Sequence, residues 1–112
     1  MERLSVGDVV FVRFPFSDLS DTKMRPALIL ARTLHDDVIL SQITSRPYSD
    51  PDAVELSQSS FSDGGLNRTS YIRPVKLFTA NLGIIEKRVA HLFPEIRKAV
   101  VDKIVKILSS EQ

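Results

Sequence analysis

The chain is predicted to be mainly β (α+β), a small barrel or sandwich with one amphipathic helix laid against it. Three observations carry this. Short apolar runs of strand length, separated by clusters of turn formers, fill most of the chain. A clear helical repeat of apolar residues begins at Pro94. At 112 residues with 43% hydrophobic content, the chain can build one core and not two, so 1–112 is expected to be a single domain. Strands followed by a terminal helix pack stably as a curved sheet with the helix on one face.

The first strand is predicted over Val9–Phe16. Val10, Val12, Phe14 and Phe16 share one face, while Val9 and Phe11 keep the other apolar, so both sides are expected to be covered at its start. Arg13 lies on that second face, and Pro15 belongs near the strand's end because it cannot donate to a ladder. Ser17–Lys23 is rich in turn formers and is expected to be an exposed, mobile loop. A second strand follows from Pro26 to Ala31, then a turn at His35-Asp36-Asp37 and a third strand over Val38–Thr44. Arg46–Asp52 reads as loop, and Ala53–Leu56 admits a short strand. Ser57–Asn67 has few apolar residues and a Gly64-Gly65 pair, which predicts a long loop or turn. Thr69–Ile72 and Val75–Thr79 read as strands interrupted by Pro74, while Ile84–Leu92 fits strand or helix. Pro94-Glu95 opens the helix, proline suiting a first-turn position and an acid the positive dipole end. Its stripe is Ile96, Val100, Ile104 and Leu108, widened by Val101, Val105 and Ile107.

Composition removes several function classes. Fifteen basic and 14 acidic side chains leave a net charge of +1, so a polyanion would have to be met by local charge. With no cysteine, disulfides, thiolate metal sites and thiol nucleophiles are excluded. No apolar run approaches the roughly 20 residues that span a bilayer, and the amino-terminal residues carry no leader pattern, so a cytoplasmic protein without membrane contact is expected. P-loop, dinucleotide, zinc-helix and serine-elbow motifs are missing. His35 and His91 are far apart in sequence and read as a turn residue and a surface residue, so neither a metal site nor a histidine acid–base pair is predicted.

Arg25 is the residue the core cannot explain, since its charge must be solvated or paired, and its fork of donors suits a phosphate. If the second and third strands are antiparallel neighbours through the Thr33–Asp37 turn, Arg25 and Thr44 lie about equally far from that turn. A guanidinium and a hydroxyl would then face one exposed rim beneath the Ser17–Lys23 loop. On these residues alone, an ordinary surface ion pair is the stronger reading of Arg25.

Gly7-Asp8-Val9-Val10, Arg25-Pro26-Ala27-Leu28-Ile29-Leu30 and Ile43-Thr44-Ser45 form a pattern that resembles the MazF/PemK family of toxin endoribonucleases. The segments Gly64–Ile72, Lys76–Thr79 and Ile84–Leu92 with the helix after it are similar in the same collinear order. The resemblance implies an SH3-like barrel (CcdB/PemK-like) with a C-terminal helix, acting as a homodimer. It implies metal-independent cleavage of single-stranded RNA, mainly messenger RNA, with no cofactor, and restraint by a cognate antitoxin carrying an acidic disordered segment. The family's catalytic arginine and threonine fall on Arg25 and Thr44. Lys23, Ser45, Lys76 and Arg13 are the candidate RNA contacts, Lys76 standing where many members of that family carry glutamine. The Ser17–Lys23 loop would act as a lid over the RNA groove. Two other functions share the expected fold: a CcdB-like gyrase poison, which needs a C-terminal tryptophan that this chain lacks, and a non-catalytic RNA-binding barrel.

Overall fold

In the computed structural model, which describes residues 3–15, 22–47 and 50–111, seven strands form one antiparallel sheet that curls into a half-barrel. The strands are β1 (Asp8–Pro15), β2 (Thr22–Arg32), β3 (Asp37–Thr44), β4 (Val54–Leu56), β5 (Phe61–Gly64), β6 (Ser70–Asn81) and β7 (Ile85–Leu92), and one helix follows, α1 (Pro94–Ser109). Their order across the sheet is β4-β6-β3-β2-β1-β7-β5. The mainly β fold with a terminal helix is therefore as expected.

The centre of the sheet is apolar on both faces, and the alternation of adjacent residues shows why. Val9, Leu28, Leu30 and Ile43 point into a cluster closed by Ile96, Val100, Val101 and Ile104 of α1. Their neighbours Val10, Val12, Ala27, Ile29 and Leu40 form a second cluster on the opposite face, covered by Leu4, Val6, Phe78, Leu82 and Ile85. A strand buried on both faces loses its polar alternation and reads as a continuous apolar run, as the start of β1 does. Register shifts within the β1–β7, β2–β3, β3–β6 and β5–β7 pairings supply the bends that curl the sheet.

Several expectations are corrected. The second strand starts at Thr22 rather than Pro26, because Pro26 pairs only with Phe11 of β1 while the β3 pairing begins at Ala27. Its missing N–H therefore costs no second ladder bond. Residues 17–21 of the expected lid lie outside the described residues, and Thr22 and Lys23 belong to β2. Ser57–Asn67 is not all loop and turn: the turn at Gln58–Ser60 leads into β5, an edge strand anchored by buried Phe61 opposite Leu92. Pro74 does not interrupt β6, because Arg73–Lys76 bulge past Gln42 between the pairs Ser41↔Leu77 and Ile43↔Ile72. The Ser41 hydroxyl donates to the Arg73 carbonyl at 2.7 Å, satisfying backbone inside the bulge. Ile85–Leu92 is a strand. On α1, Pro94 takes a first-turn position as expected, yet Val105 and Leu108 of the predicted stripe are exposed at 56% and 74%.

One buried carboxylate locks the start of β1 to β7. Asp8 is 1% exposed, and its oxygens accept from the Ser5 N–H at 2.8 Å and Arg88 Nε at 3.0 Å, with His91 Nδ1 at 2.7 Å. His91 is thus a partner of a buried acid, not the plain surface residue expected. Gly7, at φ +97°, carries the chain so close over the His91 ring that a Cβ would lie 3.1 Å from Cε1. Arg88 also donates to Asp63 at 2.9 Å, tying β5 to the same post.

Burial pushes the Asp8 carboxyl up, but the Ser5 N–H, His91 and Arg88 outweigh it and hold it below the ordinary value of 3.8. A folded-state value below the unfolded one means that stability is full above about pH 4 and is lost as pH falls through the folded value. Asp8→Asn is expected to cost about 3 kcal/mol at pH 7. It is also expected to show a shallower loss than the parent between about pH 4 and pH 2. Urea unfolding at the two ends of that range measures both effects.

Candidate active site

The β2–β3 register brings the two principal candidates together. Ala27 pairs with Gln42, Leu28 with Ser41 and Ile29 with Leu40. The same register continued two residues past Ala27 sets Arg25 opposite Thr44. Both lie at the end of the sheet, where β1 still supports β2 through the Val12–Arg25 pair. Beyond the end of β3, a pocket of about 400 Å³ opens between β2 and the approach to β6, lined by Lys23, Arg25, Thr44, Ser45, Asn67, Arg68 and Ser70 over the apolar Phe11, Pro26 and Ile43.

Thr44 is only 7% exposed, and its hydroxyl is held by the residue two positions on. It donates to the Arg46 carbonyl at 3.1 Å and accepts from the Arg46 N–H at 3.1 Å. This local loop ends β3 and fixes the rotamer of the side chain. One lone pair of the oxygen remains available, and donation outward requires the Arg46 carbonyl to be released. Arg25 is half-buried, and Ser45 and Lys23 are exposed at the rim.

Lys23, Arg25 and Arg68 line the pocket, and no carboxylate is among its described lining residues. Cations gathered without acids at a concave mouth raise the local concentration of anions. A guanidinium beside a fixed hydroxyl suits a tetrahedral oxyanion such as a phosphodiester, which takes two parallel N–H donors. Among the described residues, no group of three or more His, Asp or Glu side chains could hold a metal ion.

Of the predicted site residues, Arg25, Thr44, Ser45 and Lys23 come together here, whereas Arg13 and Lys76 do not line the pocket. Arg13 is exposed and donates to Glu86 at 3.0 Å. Lys76 is exposed in the β6 bulge. Asn67, Arg68 and Ser70 escaped notice as site residues because they follow a glycine pair in a polar stretch that reads as loop. The Ser70 hydroxyl donates to the Arg68 carbonyl at 3.1 Å and sets that segment against the pocket. The signal that could have found them is a basic residue between Gly64-Gly65 and a strand start.

A family model described as "PemK-like, MazF-like toxin of type II toxin-antitoxin system" matches residues 5–108. No curated protein sequence is significantly similar to the chain. Among solved structures, the MazE–MazF complex from Deinococcus radiodurans (Form-II) is 17% identical, with a TM-score of 0.77 over 96% of this chain and 97% of that one. An endoribonuclease in complex with its cognate antitoxin from a mycobacterial species is 16% identical, with a TM-score of 0.72 over 100% and 99%. The Mycobacterium tuberculosis toxin MazF-mt6 is 18% identical, with a TM-score of 0.70 over 94% and 99%. At these identities the likeness to solved structures is one of fold.

The Thr44 geometry makes a prediction that does not depend on activity. Thr44→Val leaves the Arg46 N–H and carbonyl without their partner and is expected to cost about 1 kcal/mol, a fall of roughly 5 °C in melting temperature. Thr44→Ser keeps the hydroxyl and is expected to melt within roughly 2 °C of the parent. Differential scanning calorimetry on the two variants measures this.

Proposed function

The chain belongs to the PemK-like, MazF-like toxin family of type II toxin–antitoxin systems, and from that premise we propose that it is a metal-independent endoribonuclease that cuts single-stranded RNA. The observation that carries this reading is the pocket itself: Arg25 and a held Thr44 hydroxyl at one mouth, among cations and without a lining carboxylate. A chain of net charge +1 concentrates positive charge where a polyanion would enter.

The reaction suits a site without histidines, because RNA carries its own nucleophile. The 2′-oxygen forms a bond to the adjacent phosphorus while the bond from phosphorus to the 5′-oxygen breaks. The proton lost by the 2′-hydroxyl is balanced by one gained at the departing oxygen, and the ends are a 2′,3′-cyclic phosphate and a 5′-hydroxyl. The protein's work is to align the attacking oxygen and to stabilise the charge that builds on the phosphoryl oxygens. Arg25 supplies a planar pair of donors for that charge, and its very high pKa makes it a clamp rather than a base. Thr44 contacts a phosphoryl oxygen, its donation passing from the Arg46 carbonyl to the substrate, with Ser45 beside it. Lys23 meets a flanking phosphate. Arg13, which pairs with the lining residue Met24 across the β1–β2 ladder, and Lys76 do not line this pocket and would contact RNA beyond it.

The family places such a toxin under a cognate antitoxin, and solved relatives are a MazE–MazF complex and an endoribonuclease bound to its antitoxin. An acidic disordered segment that folds on this cationic mouth would exclude RNA by occupying the same charges. We extend the proposal to a homodimer acting on messenger RNA in the cytoplasm. No helix among the described residues is long and apolar enough to cross a membrane.

Purified full chain in EDTA is expected to cut single-stranded RNA, leaving ends that polynucleotide kinase labels without prior phosphatase. Arg25→Ala and Thr44→Ala are each expected to slow cutting at least about 100-fold while keeping the parent's circular dichroism. Wild-type rates in both variants overturn the site assignment. Saturable, salt-sensitive binding of RNA that stays intact would make the protein a binding barrel instead.

A further inference from the structure

Beside the Arg25–Thr44 pocket lies a second cavity of about 550 Å³, formed where the Gln58–Ser60 turn faces the segment before β6. The two cavities share a wall, because Leu66, Asn67 and Arg68 line both. Buried Phe61 and half-buried Leu66 give the second cavity an apolar lining, while Gln58, Ser59, Asn67 and Arg68 make its rim polar. Its size falls in the range of small-ligand pockets.

The cavity is built rather than left over. The Gln58–Ser60 turn is fixed by reciprocal capping, with the Ser57 N–H donating to Ser60 Oγ at 3.0 Å. Gln58 Nε2 donates across the gap to the Leu66 carbonyl at 3.3 Å and holds the opposite wall in place. With Gln58 Nε2 engaged in that tie and Ser59 Oγ 3.0 Å from Ser57 Oγ, the long polar side chains left in the lining are those of Asn67 and Arg68. Neither side chain has a hydrogen-bond or ion-pair partner among the described residues, whereas Arg13, Arg73 and Arg88 each face a carboxylate.

We infer that this second cavity is a nucleobase subsite, taking the base of a nucleotide next to the scissile phosphate. Arg68, on the shared wall, meets the phosphate that links the two nucleotides. The base lays its face on the apolar lining, and Asn67 reads its edge with one donor and one acceptor. Single-stranded RNA is recognised in this way, by splayed bases held on apolar or aromatic surfaces and hydrogen-bonded along their edges. The inference rests on the nuclease reading above and goes beyond it by assigning base selection to the segment before β6.

The test is digestion of a random-sequence single-stranded RNA pool by the full chain and by Asn67→Ala and Asn67→Asp, counting the bases that flank each new 5′-hydroxyl end. The parent is expected to favour one base at a fixed position beside the cut. Asn67→Ala is expected to flatten that preference about tenfold. Asn67→Asp, which trades an amide donor for an acceptor, is expected to change which base is favoured. These ratios are read within each digest, so they do not depend on overall rate, and residue 67 is exposed, so the fold survives its substitution. A flat parental profile, or one unchanged in both variants, overturns the subsite while leaving the nuclease reading intact. A parent that cuts nothing overturns the nuclease reading. Anisotropy with fluorescent RNA hexamers then judges the subsite alone, equal affinity of parent and Asn67→Ala overturning it and a threefold or greater loss supporting it.

Discussion

The structure turns on the register of one hairpin. Between β2 and β3 the chain reverses through Thr33–Asp37, where His35 and Asp36 take φ values of 64° and 63°. Such left-handed residues match the right-handed twist of the flanking strands, and Asp and His tolerate them better than bulky residues do. The Thr33 N–H and hydroxyl both donate to the Asp37 carbonyl, at 2.9 and 3.1 Å, and close the turn. Two functions follow from this closure. It alternates Leu28 and Ile29 into opposite cores, and it carries Arg25 and Thr44 to the same end of the sheet. A slip of one residue would turn the side chains of one strand over relative to the other and separate the pair.

Charge is then distributed so that a nearly neutral chain can present a positive mouth. Carboxylates stand beside the arginines that serve structure: Glu86 at Arg13, Asp50 at Arg73, Asp8 and Asp63 at Arg88. The Arg13 and Arg88 pairs hold β1, β5 and β7 to one another, and the Arg73–Asp50 pair ties β6 to the segment between β3 and β4. None of the described residues lining the Arg25–Thr44 pocket is acidic. Net charge therefore says little about this protein's partners, whereas the placement of acids says a good deal.

Much of the scaffold was legible because its strands follow simple patterns. β1 and β3 stand out as apolar runs bounded by turn formers, and α1 as a helical stripe opened by Pro94. Other elements were hidden by physics that no local pattern records. β5 is a polar edge strand kept by one buried aromatic and by pairing with β7, so its own residues carry no strand signal. β6 runs through Pro74 because a bulge against β3 leaves that residue without a ladder partner to fail. In the site, counting from the turn brought Arg25 and Thr44 together to within one residue, and the extra residue of β2 between the Ile29 and Ala31 pairs, which no local pattern announces, sets Arg25 opposite Thr44 rather than Ser45. Asn67 and Arg68 were not readable, because what brings them to the pocket is the tie from Gln58 and the start of β6. The Arg13–Glu86 pair was not readable either, because its two members are 73 residues apart in sequence.

The central claim is that Arg25 and Thr44 act on one phosphate. It is tested most directly by a crystal structure of the full chain bound to a short single-stranded oligonucleotide whose 2′-hydroxyls are replaced by hydrogen, so that no cut can occur. One backbone phosphate is predicted to accept from the Arg25 guanidinium and to lie within hydrogen-bonding distance of the Thr44 hydroxyl. A complex in which the strand crosses another face, with no phosphate near either side chain, would contradict the account.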